Sequence, residues 1–510
     1  MEKALVKKSD YLKLKYKFFI NRVLIYVLFF LLPLILEKVV EFDFFAQASL
    51  MVVYIIFIFS QWYLLGRELD HRLKIYYRVN SSIERVAYRV FTGSMTMLLL
   101  FNIFYLIPES ISQYLFWGFF GILGIFYSWP TRGKIIEDSM TNQFGELKFL
   151  DSFEKTIFLL LIMTFFISVP ELPMFENIDA LKLFLDPSEH LSGLIWNFMA
   201  VLYLPFKSYP KLYNLIWSFH FYFVCIGLFL GATYGFLRYF YSRRLSLLGV
   251  FAIVSTWSFA RILSHDYLSA ITTTISLLWV WSVMWSLKSG SYRSGVFTGL
   301  IVAYATMINI HNFVLAPITL GMFYFYFLKN QTSWFRVQWV KYNVLGLSIA
   351  ILIVLAQYHR FSPLKLSQFV FFLETVSDLI YRKAFFVLSP LGLILVGLMM
   401  SRKFRMKYKI NGFGDNFSFL LTMFLWCLVV GLFVNPEFIK GFSFVWILAF
   451  FSLLPLEWIF QSISRLRSKR NLIFALYILV CVLDSQLENR LRIVAKMFLD
   501  DEGLKYLIQF

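Results

Sequence analysis

Along most of the chain the apolar positions do not alternate with polar ones but run on for about 15–25 residues at a time, and such runs predict helices able to cross a hydrocarbon core about 30 Å thick. Strands are excluded because period-two patterning is missing, and only helices or closed barrels satisfy their backbone inside lipid. About fifteen spans are predicted: Phe18 to Leu36, Ala48 to Leu65, Val90 to Ile107, Tyr114 to Trp129, Thr156 to Val169, Leu215 to Tyr239, Leu247 to Leu263, Leu268 to Leu287, Gly295 to Ile310, Phe313 to Leu328, Val344 to Tyr358, Ala384 to Met400, Phe417 to Val434, Phe444 to Phe460 and Asn471 to Leu483. The expected fold class is an all-α polytopic membrane protein with two external loops that carry interfacial helices.

Those loops stand out because the other connections are short. One runs from Glu171 to Asn214 and holds Ile178, Leu181, Leu183, Phe184 and Leu185, a break at Asp186-Pro187, then Leu191, Leu194 and Ile195. The other runs from His359 to Lys383, with Phe361, Leu364, Leu366, Phe369, Val370, Leu373 and Val376 between polar residues. Both have the apolar spacing of amphipathic helices lying at an interface. Tyr and Trp in spans are assigned to interfacial belts, with Trp196, Tyr203, Tyr209 and Tyr213 kept as candidates for sugar stacking.

Composition changes the picture only by excluding alternatives. With 59% hydrophobic residues and 15% charged ones over 510 residues, a soluble domain is not expected. Basic residues remain in cytoplasmic loops, and most of the 48 lysines and arginines fall inside if the N terminus is cytoplasmic. In that phase Lys3 to Lys17, Arg67 to Arg89, Arg238 to Arg244, Arg402 to Lys409 and Arg465 to Arg470 are internal. The net charge of +18 then needs no nucleic acid, because anionic headgroups suffice as partners. The first span lacks a small-residue cleavage site and is expected to be an anchor. Cys225, Cys427 and Cys481 all lie in spans, which favours packing over disulfides or metal binding.

The same phase gathers candidate chemistry outside. Glu171, Glu176, Asp179, Asp186 and Glu189 follow the fifth span, and His190, His265, His311 and His359 lie on that side too. Glu176 and Asp179 are three residues apart, hence on one helix face, and are the first candidates for a general base, with Glu171 next. Arg261 lies one turn inside its span, where a charge is a functional-site hypothesis.

This arrangement resembles the membrane glycosyltransferases of the C-type fold that use polyprenyl-phosphate sugars, such as protein O-mannosyltransferases and aminoarabinose transferases. In that family a first span leads to a long external loop with a catalytic carboxylate near its start; six spans with short loops and a second external loop follow. The likeness covers about Ser152 to Met400. Local matches are Arg243-Arg244-Leu-Ser-Leu-Leu-Gly249, Ser264-His265-Asp266-Tyr267, and Gly295-Val-Phe-Thr-Gly299-Leu with the turn Asn309-Ile-His311-Asn312 and Pro317. The chain departs from the family in lacking its adjacent Asp-Glu pair and in placing His311 where a basic residue is usual. The resemblance implies sugar transfer at the outer face, with Glu176, Asp179 or Glu171 catalytic. It gives His265, Asp266, His311, His359, Arg360, Lys365 and Arg261 to substrate, and Asp179 with Asp266 to a divalent cation, Mg or Mn. By analogy the protein sits in a bacterial inner membrane.

The expected domains are residues 1–151, a four-helix membrane region; 152–400, the catalytic module; and 401–510, further helices ending in an outer interfacial tail. The segment Tyr127-Ser-Trp-Pro130-Thr-Arg-Gly-Lys134 is similar to one in UbiA-type prenyltransferases, whose paired aspartate-rich motifs bind magnesium; here only Glu68 and Asp70 stand in the corresponding place. A transporter or flippase of lipid-linked or small polar substrates is the alternative, although no internal repeat supports it. No Gly-rich phosphate loop, nucleophile elbow or zinc motif occurs.

Overall fold

The computed structural model describes ten helices with their short flanks and some isolated residues between them: α1 Phe44–Leu73, α2 Ser82–Phe104, α3 Ser152–Ile167, α4 Gly227–Phe240, α5 Arg243–Ser255, α6 Ser294–Ile308, α7 Leu315–Met322, α8 Ser333–Ala356, α9 Ser464–Ser468 and α10 Arg470–Asp484. The described residues are 94% helical, with no strand among them. Where they are described, the long unalternating apolar runs are helices, and the described fold is all-α. Among the described residues one helix, Ser49–Leu73, is long and apolar enough to cross a membrane, and Ser294–Met307 and Arg470–Val482 are shorter apolar helices. The chain divides into two compact units, one of residues 1–149, 174–221 and 510, the other of 150–173 and 222–509.

In the first unit α1 and α2 form an antiparallel hairpin. Gly66 faces the Arg89 carbonyl and Gly93 faces the Trp62 carbonyl, so the sequence numbers rise on one helix as they fall on the other. A side chain at either glycine would occupy the partner helix's backbone, which is why this crossing needs glycine. His71 and Arg72 in the last turn of α1 complement the negative end of its dipole. Thr92, Ser94 and Thr96 donate to the carbonyls of Tyr88, Phe91 and Thr92 at 2.6–2.8 Å, which satisfies each hydroxyl without water.

In the second unit α5 is buried on all sides from Leu245 to Ser255, as a helix apolar all round should be. It packs on α3, α4 and α10. α6 and α8 form a separate close pair. Added Cβ atoms at Gly295 and Gly299 would lie 2.6 Å from the carbonyls of Trp339 and Asn343, and Gly346 meets Val296. These contacts advance together along both helices, so α6 and α8 run parallel. Only this close approach lets Asn343, fully buried, donate its Nδ2 to the Gly295 carbonyl at 3.0 Å. The Gly295-to-Gly299 spacing, matched above to a family motif, thus also has a packing reason of its own.

The outward faces carry the most information about surroundings. On α8, Trp334, Val337, Val344, Leu345, Ile351, Leu352 and Leu355 are exposed, while Phe335, Trp339, Leu347 and Ala350 are buried. Ser348, also exposed, turns its hydroxyl back to the Leu345 carbonyl at 2.7 Å. On α10 the exposed face is Leu472, Ala475, Leu476, Leu479 and Val480, and the buried one Phe474, Tyr477 and Cys481. A helix packed against a soluble core keeps its outer face polar; that of α10 from Leu472 to Val480 is wholly apolar, and that of α8 is mainly so, with Ser333, Lys341 and Ser348 its exposed polar residues.

Candidate functional site

All ten residues assigned above to catalysis, substrate or metal, namely Glu171, Glu176, Asp179, Arg261, His265, Asp266, His311, His359, Arg360 and Lys365, lie outside the described residues, as do the two external loops and Cys225 and Cys427. Beside His311, Asn312 is described: it is buried and donates Nδ2 to the Ala305 carbonyl at 3.0 Å, closing the C-terminal end of α6. Nearby, Trp279 donates Nε1 to Thr319 of α7 at 2.7 Å. Cys481 is buried in α10.

The densest described chemistry is a charge cluster where α3, α5 and α10 begin. Asp151 and Glu154 form a reciprocal capping box: the Glu154 amide donates to Asp151 Oδ1 at 2.8 Å, and the Asp151 amide donates to Glu154 Oε2 at 3.1 Å. Arg243 grips Glu154 with both prongs, Nε to Oε1 and Nη2 to Oε2, each at 2.7 Å. Arg244 pairs with Asp151 through Nε at 2.6 Å and through Nη2, and donates Nη1 to Asn471 Oδ1 at 3.3 Å. Phe153 packs on Phe474 beneath the charges, with ring centroids 5.3 Å apart.

Burial pushes the Asp151 carboxyl upward, but the Glu154 amide, the Arg244 hydrogen bond and the charges of Arg244 and Arg243 outweigh it and hold the group below the ordinary carboxylate range. At the same turn burial pushes the Tyr241 phenol well above its ordinary value, with Glu457 and Tyr477 adding to the shift. Both Asp151 oxygens and both Glu154 oxygens are engaged. Carboxyls whose oxygens are all taken by arginines and backbone amides are poorly suited to accept a proton; the cluster clamps helix ends.

A lowered carboxyl adds stability above its unfolded value and loses it as pH falls through the folded value. With Asp151 about a third exposed (34%), its share is about 0.2–1 kcal/mol. Thermal melting against pH is therefore expected to show a modest fall below about pH 4, and Asp151→Asn is expected to melt lower at pH 7 and to lose less on acidification than the parent.

In the first unit Arg89 donates Nε and Nη2 to Asp70 Oδ2 at 2.9 and 2.8 Å and Nη1 to the Tyr63 hydroxyl at 3.0 Å. Arg67 and Arg89 both lie within 6 Å of the Tyr63 ring. Glu68 pairs with Arg72 at 3.3 Å. Glu68 and Asp70, the carboxylates set against the UbiA-type magnesium motif, are thus both engaged by arginines, and among the described residues no group of three His, Cys, Asp or Glu could hold a metal. Sequence reasoning missed both clusters. The Asp-x-x-Glu spacing before the run at 156 would have signalled the capping box; nothing local signals Asp70 with Arg89.

The fold and these clusters define a class, an all-α protein whose helices are closely packed through glycines, tied by ion pairs at their ends and apolar on their outward faces. No protein-family model, no curated protein and no solved structure matches the chain.

Proposed function

We propose that the chain is a polytopic protein of about fifteen spans that transfers a sugar from a polyprenyl-phosphate donor to a lipid, glycan or protein acceptor at the outer face of the membrane. The exposed apolar faces of α8 and α10 support the membrane, since in water they would remain a large unburied apolar surface. The observation that supports the chemistry is the order of charged residues along the sequence around α3. Its first turn is held by Arg243 and Arg244 at a strongly basic end, and Glu171, Glu176 and Asp179 follow its last residue, Ile167. From Ser152 to Ile167 the helix itself rises roughly 24 Å.

In the proposed reaction an acceptor hydroxyl or amine forms a bond to the anomeric carbon as the bond from that carbon to the phosphate oxygen breaks. The electron pair leaves with the polyprenyl phosphate, and the acceptor's proton passes to Glu176 or Asp179. Arg360, His359 and Lys365 offset the negative charge of the leaving phosphate. Glu171 is the nearest substitute base. The clamped carboxylates Asp151 and Glu154 are excluded from this role by their pairing.

Mass spectrometry of lipid-linked sugars and envelope glycans tests the reading in cells with the protein, without it, and with Glu176→Ala/Asp179→Ala. Deletion and the double variant are both expected to remove one sugar from a glycan while its polyprenyl-phosphate form accumulates. Restoration by the double variant would move the base elsewhere or turn the role to transport, and unchanged glycans on deletion would end the sugar-transfer reading.

A further inference from the structure

We infer that the junction of α9 and α10 binds the headgroup of an anionic phospholipid, an inference that rests on the membrane placement proposed above but not on sugar transfer. Arg465, Arg467 and Lys469 are exposed, and Arg470 opens α10 beside them. Immediately beyond, from Leu472, the exposed face of α10 becomes wholly apolar through Val480. Cations therefore give way to hydrocarbon within two residues, the order in which a phospholipid presents phosphate and then acyl chain. The stretch from Leu472 to Val480 rises about 12 Å, close to one leaflet's hydrocarbon depth.

Charge complementarity selects an anionic over a zwitterionic lipid. Arg244, itself paired with Asp151, ties Asn471 at the start of α10 without adding free charge to the collar. The two carboxylates of that end, Asp151 and Glu154, are already held by Arg244 and Arg243, so they do not neutralise the α9 cations. The exposed positive charge has no described acidic partner on its own helices, where the first acid after Arg465 is Asp484 at the far end of α10. A lipid phosphate with a second negative or uncompensated charge fits this collar, and its acyl chains lie along Leu472, Leu476 and Leu479.

The purified full-length protein in nonionic detergent, given equal amounts of phosphatidylglycerol and phosphatidylcholine, is examined by native mass spectrometry. The expected result is selective retention of phosphatidylglycerol. Arg465→Gln/Arg467→Gln/Lys469→Gln should weaken that retention on the order of a hundredfold, at about fivefold per cation, while melting as the parent does. Arg465→Lys/Arg467→Lys should keep the preference. Equal retention of the two lipids, or an unchanged preference in the glutamine variant, overturns the inference, and displacement by millimolar inorganic phosphate assigns the collar to a soluble anion instead. A protein that stays in the supernatant without detergent sinks the membrane reading itself; sugar transfer is judged separately by the glycan measurement.

Discussion

Replacing Gly299 by leucine is expected to part α6 from α8 and to lower the melting temperature of the detergent-solubilised protein more than any surface substitution. A Cβ there would stand 2.6 Å from the Asn343 carbonyl oxygen and 2.8 Å from the Gly346 backbone. Both are main-chain atoms of a helix and cannot rotate aside, as a leucine tip could. Relief requires the helices to separate, which also breaks the bond from Asn343 Nδ2 to the Gly295 carbonyl and leaves that amide buried. The overpacking alone costs about 1–3 kcal/mol, and the stranded amide adds about 1–3 kcal/mol. Gly321 of α7 is the control, because an added Cβ meets nothing within 4 Å. Gly321→Ala is expected to be neutral or stabilising by about 0.5–1 kcal/mol, the ordinary preference of a helix for alanine. If Gly299→Leu melts like the parent, the close parallel crossing is wrong.

The second large effect is expected at the other unit. Arg89→Ala leaves the Asp70 carboxylate nearly enclosed, since Asp70 is 5% and Arg89 3% exposed. Removing one member of a buried pair costs about 3–5 kcal/mol, most of it from the uncompensated charge left behind. Asp70→Ala is expected to destabilise as well, by removing the carboxylate that takes Arg89 Nε and Nη2 and leaving the guanidinium its Tyr63 contacts, whereas Asp70→Leu/Arg89→Met, which removes both charges and keeps the volume, is expected to recover most of the loss. Equilibrium unfolding of the four proteins in one detergent reads the difference directly. A double variant as unstable as either single one would mean that the hairpin needs the pair for specificity, and equal stability of all four would show that the pair is not buried.

The same two helices show how much of the molecule could be read from its residues. The α1 run from Ala48 to Leu65 and the α2 run from Val90 were legible as helices because their apolar residues run on without the period-two alternation of a strand. The antiparallel sense of the hairpin is shown by Gly66 meeting Arg89 and Gly93 meeting Trp62. Gly66 and Gly93 gave no sign of their role, since a glycine contacting a neighbouring backbone looks in sequence like a glycine facing open space, as Gly321 does. Among the charges, Arg243 and Arg244 were read as the basic start of an apolar run, and they open the helix α5. That Glu154 and Asp151 complete them, 89 and 93 residues away, was not visible.

The candidate reaction centre divides differently. Its carboxylates and histidines were chosen from side of the membrane and loop length, and they remain the sequence's own contribution. The structure contributed the exclusion of Asp151 and Glu154 and of Asp70, each removed from the pool of free carboxylates by an arginine.

By itself the sequence determined that this protein is helical and apolar, because those properties depend on residues within a turn or two of each other. Only the tertiary structure decided which glycines let helices touch, which acids meet which arginines, and which faces of α8 and α10 stay open. Those outcomes depend on where helices cross, a relation between residues tens of positions apart that no local period encodes.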